Sequence, residues 1–442
     1  MKELTKGYPA KVIMMFAIPL MCGSIFQQLY NMADSKIVST YVGTTAFAAV
    51  GATGVISNML IGFVNGLTQG FAILVANCFG AKKDREMRQY VSGTIYLTAA
   101  VSVVLTICSL FLIVPLLRML RTPEDILPFA VDYVRIILAG IIFTALYNLC
   151  ANVLRAVGDS KTPLYCLLFA VFVNIGLDLL FVKGLSWGIR GAAIATVISQ
   201  ALSGFLCLGY ILIRFRMLIP KGTEWRLESG QYGALISTGL SMGLMSCIVN
   251  IGTIVLQSAI NSLGTEIVAA HTAARRVFDI LTVTIYNVGV AITTFVSQNM
   301  GAGKKDRIRQ GVRHALLIVT GITTGLIVIC FVFGRPVLIW LTSSTNPVII
   351  DAAVMYSRIS ICFFYVLGPL FVLRCALQGM GRKIIPVCSS ILEMFVKVLS
   401  ATLLVPRLAY LGVALTEPIS WTLMTILLAV AYYTKRERGG NG

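Results

Sequence analysis

The chain has 442 residues, 57% hydrophobic and only 12% charged, where a soluble domain carries about a quarter charged residues. With a mean hydropathy of +0.87, most of it must be solvated by lipid, which excludes an ordinary water-soluble enzyme. The formal charge of +18 does not point to nucleic acid, because the Lys and Arg residues sit in short loops between apolar runs, where they set membrane orientation.

Runs of about 20 or more apolar residues, the length an α-helix needs to cross roughly 30 Å of hydrocarbon, recur from end to end. They predict an all-α membrane protein with spans at 12–35, 46–78, 91–117, 127–154, 163–183, 189–213, 234–262, 268–298, 312–341, 350–376, 386–406 and 410–433. A β-barrel would show alternating segments of about ten residues instead. The first run continues without a small-residue cleavage site, so it reads as a retained span.

The first span carries Pro19, which cannot donate a backbone hydrogen bond and is either a kinked hinge or ordinary punctuation of a membrane helix. Its second half carries Gln27, Tyr30, Asn31 and Asp34, and the second span carries Asn65 and Gln69. The amides and the tyrosine either line an aqueous cavity or bond between helices. Asp34 is different in kind: an intramembrane carboxylate costs about 2.5–3.5 kcal/mol on insertion scales and needs a compensating reason.

Asp178, late in the fifth span, is the second such acid, with Asn174 one helical turn before it on the same face. Thr196, early in the sixth span, falls at a similar depth. Two carboxylates, an amide and a hydroxyl are predicted to converge in the outer half of the first six spans as an ion-coupling site, with oxygen ligands for Na⁺ or paired carboxyls for H⁺. The alternative is that Asp34 snorkels beside Lys36 and Asp178 pairs with Lys183.

Residues 214–233, rich in basic side chains, form a predicted cytoplasmic linker between an N-terminal lobe (1–213) and a C-terminal lobe (234–442). The second lobe has its own acids. Glu393 and Lys397 are spaced to pair along one helix, whereas Glu417 has no local partner and is a candidate cation or substrate contact.

The two lobes resemble each other. VGTTAFAA from Val42 matches LGTEIVAA from Leu263, and GAKKDREMRQ from Gly80 matches GAGKKDRIRQ from Gly301. LRAVGDSKTP from Leu154 matches LQGMGRKIIP from Leu377, and GAAIATVIS from Gly191 matches GVALTEPIS from Gly412. Six spans per repeat make the repeats parallel, related by a pseudo-two-fold axis along the membrane normal. With the N-terminus inside, 24 of the 36 Lys and Arg residues fall in inner segments and seven in outer ones, so both termini are expected in the cytoplasm.

No metal site is expected from the scattered cysteines or from His271 and His314, which lack ligand spacing. No Walker A motif or Asp-rich diphosphate motif occurs, so no enzymatic activity is expected.

The stretches QQLYNMAD from Gln27, QGFAILVANCFGAKKD from Gln69, LRAVGDSKTP, NIGLDLLF from Asn174 and VSQNMGAGKKDRIRQG from Val296 resemble the multidrug and toxic compound extrusion (MATE) transporters, especially the DNA-damage-inducible-protein-F-like branch. The resemblance implies a twelve-helix secondary exporter, without cofactor and monomeric, of the cell (inner) membrane. It would exchange small cationic or amphipathic organic compounds for H⁺ or Na⁺ by alternating access of two lobes, with membrane lipids and no nucleic acid as partners. It matches Asp34, Asn174, Asp178 and Thr196 to that branch's coupling site and Pro19 to its kinking proline. The acids that another bacterial branch uses in its seventh and tenth helices have no counterpart here, with Asn250 and Gly368 nearby instead. Asn77 and Ser39 stand where Gln and Gly are usual. The alternative function is a flippase for lipid-linked oligosaccharides, which the intramembrane residues Arg135, Arg275, Arg276 and Arg358 would suit.

Overall fold

A computed structural model describes residues 3–119, 122–342 and 346–437; Lys2, Arg121 and Arg438, counted above for orientation, lie outside them. The described chain is a succession of helices. The first half contains α1 (Pro9–Tyr41), α2 (Thr44–Gly80), α3 (Asp84–Met119), α4 (Leu127–Ala139), α5 (Ile141–Ala156), α6 (Lys161–Asp178) and α7 (Gly188–Arg214). The second contains α8 (Ser229–Asn261), α9 (Thr265–Gly301), α10 (Lys305–Thr342), α11 (Pro347–Cys362), α12 (Phe364–Gly379), α13 (Ile384–Leu399), the single turn α14 (Val405–Leu408) and α15 (Tyr410–Glu437).

Ten stretches are long and apolar enough to cross a membrane, and two further spans are bent pairs, α4 with α5 at 44° and α11 with α12 at 50°. The single spans predicted at 127–154 and 350–376 are thus broken in the middle. Gly140 makes the first break, where any Cβ would run into Val197 of α7. Phe363 makes the second.

The repeat is written in the backbone as well as in the sequence. Gly43 (φ 110°) and Gly264 (φ 99°) hold the same left-handed conformation before α2 and α9. Lys82 (φ 58°) and Gly303 (φ 70°) do so before α3 and α10. The helices α6 and α13 both run on into π-helical turns, Leu179–Gly184 and Ser400–Leu404.

The chain forms two compact units, one comprising Ile18–Cys247 and the other Leu4–Ala17 with Ile248–Gly442. The division falls inside two helices: α1 passes from the second unit to the first next to Pro19, and α8 passes from the first to the second after Cys247. Large apolar side chains lie on the outside of the helices, Phe111 at 79%, Phe172 at 69% and Trp340 at 75% exposure, as lipid contact requires. Lipid gives apolar helices no hydrophobic reason to associate, so close packing and buried polar contacts must hold the units together.

In the first unit, Gly66 and Gly70 of α2 face Gly239 and Gly243 of α8. A Cβ on Gly66 would stand 2.6 Å from the Met242 carbonyl oxygen, and one on Gly70 would stand 2.7 Å from Gly239 Cα. Both pairs follow the small-x-x-x-small spacing that lets membrane helices touch along their backbones. The segment before α8 packs on α3: Leu218 is buried, and the Glu224 carboxylate accepts from Arg88 Nε and Nη2, both at 2.7 Å. In the second unit, the segment before α1 packs on α9 and α10. Leu4 N donates to Gln298 Oε1 at 3.0 Å, Lys304 Nζ to the Thr5 carbonyl at 2.9 Å and Arg307 Nη2 to the Lys6 carbonyl at 2.8 Å.

Candidate functional site

On α1, Gln27, Tyr30, Asn31 and Asp34 recur at i, i+3, i+4 and i+7, which on a helix is one face. That face borders a cavity of about 350 Å³ in the first unit, which Asn65 of α2, Tyr133 of α4, Asn148 of α5 and Thr196 of α7 also line. Amides, hydroxyls and tyrosines dominate the walls; Asp34 is the one charged residue among those that line it. Tyr30 Oη donates to Thr196 Oγ1 at 3.4 Å, and Thr196 Oγ1 donates to the Ala192 carbonyl at 3.1 Å.

Asp178, the last residue of α6, lies behind this wall with no exposed surface, and Asn174 one turn earlier is buried with it. The Asp34 and Asp178 carboxyls are neighbours. Both Asp178 oxygens, Asp34 Oδ1 and both polar atoms of the Asn174 side chain lack a hydrogen-bond partner within the described structure. Buried polar atoms are nearly always paired, and two ionised carboxyls side by side need a cation between them or one proton held in common.

Neither acid has an ion pair among the described residues. Lys183, the suggested partner of Asp178, lies instead over the Tyr41 ring, 5.4 Å from its centroid.

The structure gathers Asp34, Asp178, Tyr30 and Thr196 and places Gln27, Asn31 and Asn65 along the cavity. Gln69 is not among the residues that line it; its Nε2 donates to Asn65 Oδ1 at 3.2 Å and steadies that amide. Glu417 belongs to the second unit and is not without a partner: its Oε1 lies 3.4 Å from Arg275 Nη1 and 3.5 Å from Lys397 Nζ. The reason is tertiary, since both cations come from other helices. Lys397 also holds Glu393, at 2.9 Å along α13, and donates to Thr253 Oγ1 at 3.2 Å. Sequence reasoning missed Tyr133, Asn58 and Asn148 as cavity residues; the i, i+7 spacing of Asn58 and Asn65 in an apolar span was an available signal. It also missed Asp279, four residues after Arg275 and 3.0 Å from it.

The MatE family model matches the chain twice, over residues 19–180 and 242–403. The matches are displaced by 223 residues, the spacing that separates the breaks at Gly140 and Phe363. Among curated proteins, the chain is 28% identical over 385 residues to the probable multidrug resistance protein YpnP of Bacillus subtilis (strain 168), covering 86% of this chain and 85% of that one. It is 24% identical to a protein named FAD transporter of Shewanella oneidensis, over 97% of this chain and 94% of that protein. Among solved structures, one described as the outward-facing conformation of a multidrug resistance MATE family transporter of the MOP superfamily superposes with a TM-score of 0.93 at 23% identity, covering 100% of this chain and 98% of that one. A MOP superfamily transporter from Pyrococcus furiosus superposes with a TM-score of 0.90 at 24% identity over 98% and 97% of the two chains. With the family pattern matched in both halves, each match taking in the bent span of its half, the chain belongs to the MatE family of multi-span membrane transporters, which are not enzymes.

Proposed function

We propose that the protein is a secondary active exporter that exchanges cationic or amphipathic organic compounds for H⁺ or Na⁺, with Asp34, Asn174, Asp178 and Thr196 as the coupling group. The observation that carries this reading is the pair of neighbouring buried carboxyls with unpartnered oxygens, placed against a polar cavity that no Lys or Arg lines. A cation entering or leaving that group changes its charge, and a cationic substrate near Asp34 competes for the same carboxylate. By linkage, each then weakens the other's binding by the same factor. The pyrophosphate of a lipid-linked oligosaccharide would meet an acid and no base there, which disfavours the flippase reading.

In this reading the lobes 1–213 and 234–442, joined by 214–233, rock about the pathway in the cell membrane as a monomer with both termini cytoplasmic. Pro19 serves as a hinge, a role supported by its place beside the point where α1 changes unit. The basic-residue asymmetry supports the orientation, and labelling of Ser229→Cys by an impermeant reagent from outside intact cells would overturn it.

The test of coupling is ethidium efflux from proteoliposomes with proton and sodium gradients imposed separately. Asp34→Asn and Asp178→Asn should each abolish gradient-driven efflux at normal expression, and the gradient that drives the wild type identifies the ion. Wild-type efflux with unchanged cation dependence in both variants would leave the carboxyls a structural role only.

A further inference from the structure

In the second unit six charged side chains from four helices form an unbranched ladder in which bases and acids alternate. Arg374 Nη2 lies 3.7 Å from Glu393 Oε2, Glu393 2.9 Å from Lys397, Lys397 3.5 Å from Glu417, Glu417 3.4 Å from Arg275, and Arg275 Nε 3.0 Å from Asp279 Oδ1. The first four members are closed off, none with a side chain more than 10% exposed, while Arg275 and Asp279 are 35% and 45% exposed. The ladder therefore has one open end.

What Arg275 touches at that end is specific. Its guanidinium carbon lies 4.8 Å from the centroid of the Phe278 ring. Phe278 is otherwise buried, stacked on Trp421 with centroids 5.7 Å apart and planes within 9°. A flat cation thus sits on an aromatic face with a carboxylate beside it, which are the two elements by which proteins recognise organic cations.

We propose that Asp279 and the Phe278 face form an organic-cation site in the second unit, and that Arg275 is its tethered occupant, displaced from Asp279 when a cationic ligand binds. The inference rests on the exporter reading only for the class of ligand. The ladder makes the exchange feasible, because Arg275 on leaving Asp279 keeps Glu417, and Lys397 keeps Glu393 and Thr253. No acid is stranded without a counter-charge. The remaining rungs then hold three bases against two acids, an excess that favours the return of Arg275 to Asp279. Such a site binds weakly and releases readily, as a station on a transport path should.

Ethidium binding to purified full-length protein, followed by fluorescence anisotropy, tests the proposal. Arg275→Gln removes the internal competitor and should tighten binding about tenfold, or one decade in Kd. Asp279→Asn should weaken binding by a similar factor, and in the Arg275→Gln/Asp279→Asn double variant the gain should vanish. Unchanged or weaker binding by folded Arg275→Gln protein overturns the site. Should that variant not fold, carbodiimide labelling of Asp279 in the wild type, mapped by mass spectrometry, decides the matter: protection by tetraphenylphosphonium is expected, and equal labelling with and without it overturns the proposal. Wild-type binding with no response to these changes sinks this site alone, whereas absence of any organic-cation binding by the wild type sinks the exporter reading and the site together.

Discussion

Lys397 Nζ on α13 lies 3.5 Å from Glu417 Oε1 on α15 and 2.9 Å from Glu393 Oε1 one turn away on its own helix, so one buried ammonium serves two buried carboxylates. Removing one partner of such a set leaves an uncompensated charge, at a cost of about 3–5 kcal/mol. Lys397→Met should therefore lower the thermal unfolding midpoint of the detergent-solubilised protein sharply, and Lys397→Met/Glu417→Gln should recover part of the loss. Equal midpoints for Lys397→Met and wild type would mean that the ammonium is not needed to balance these acids.

The acids of the first unit should behave in the opposite way. Asp178 has no exposed surface and neither of its oxygens has a donor among the described residues, so Asp178→Asn removes a desolvation cost and breaks no bond. Its unfolding midpoint should equal or exceed that of the wild type. A loss of several degrees would show that the carboxylate holds the unit together.

The segment before α8 should respond to acid. Glu224 is held below its ordinary value of 4.5, chiefly by its hydrogen bonds from Arg88. A carboxylate whose folded pKa is depressed stabilises the docked segment fully above about 4.5. That contribution is lost as the pH falls through the lower, folded value. Amide hydrogen exchange across residues 216–226 should therefore speed up, relative to its intrinsic rate, on acidification through this window. In Glu224→Gln it should be fast at every pH, and a pH-independent wild type would refute the claim.

The glycine contact between α2 and α8 leaves no room for a side chain at Gly70, where an added Cβ meets Gly239 Cα and the Thr238 carbonyl oxygen, each at 2.7 Å. Backbone cannot yield as a flexible side chain can, so Gly70→Val should destabilise by about 1–3 kcal/mol, the usual range for overpacking. Gly51→Ala, at a position with nothing within 4 Å of the added carbon, is the control and should melt like the wild type.

Much of this was legible in the residues themselves. The polar face of α1 could be read because Gln27, Tyr30, Asn31 and Asp34 follow the helical period in an otherwise apolar run, and the repeat because paired turns kept their glycines and basic clusters. The bends at Gly140 and Phe363 could not be read, since hydropathy is blind to the direction of a span and no local pattern announces that Gly140 lies too close to Val197 for a side chain. Nor could the ties of Glu417: one of its partners is 142 residues away, and no local spacing announces a contact made by packing. The division of α1 and α8 between units escaped for the same reason, because a helix is continuous in sequence whichever neighbours its two ends find.

The two docked segments impose different schedules on synthesis. The segment before α8 finds Arg88, Gln89 and Ser92 already made when it leaves the ribosome. The segment before α1 is made first, yet its partners are Gln298, Asn299, Lys304 and Arg307. The chain must be translated as far as Arg307 before Leu4 can reach its full seat, so a segment that precedes α1 settles long after it has emerged. A chain cut after residue 233 would retain the first of these seats and lose the second, leaving the start of α1 without the surface it was built to meet.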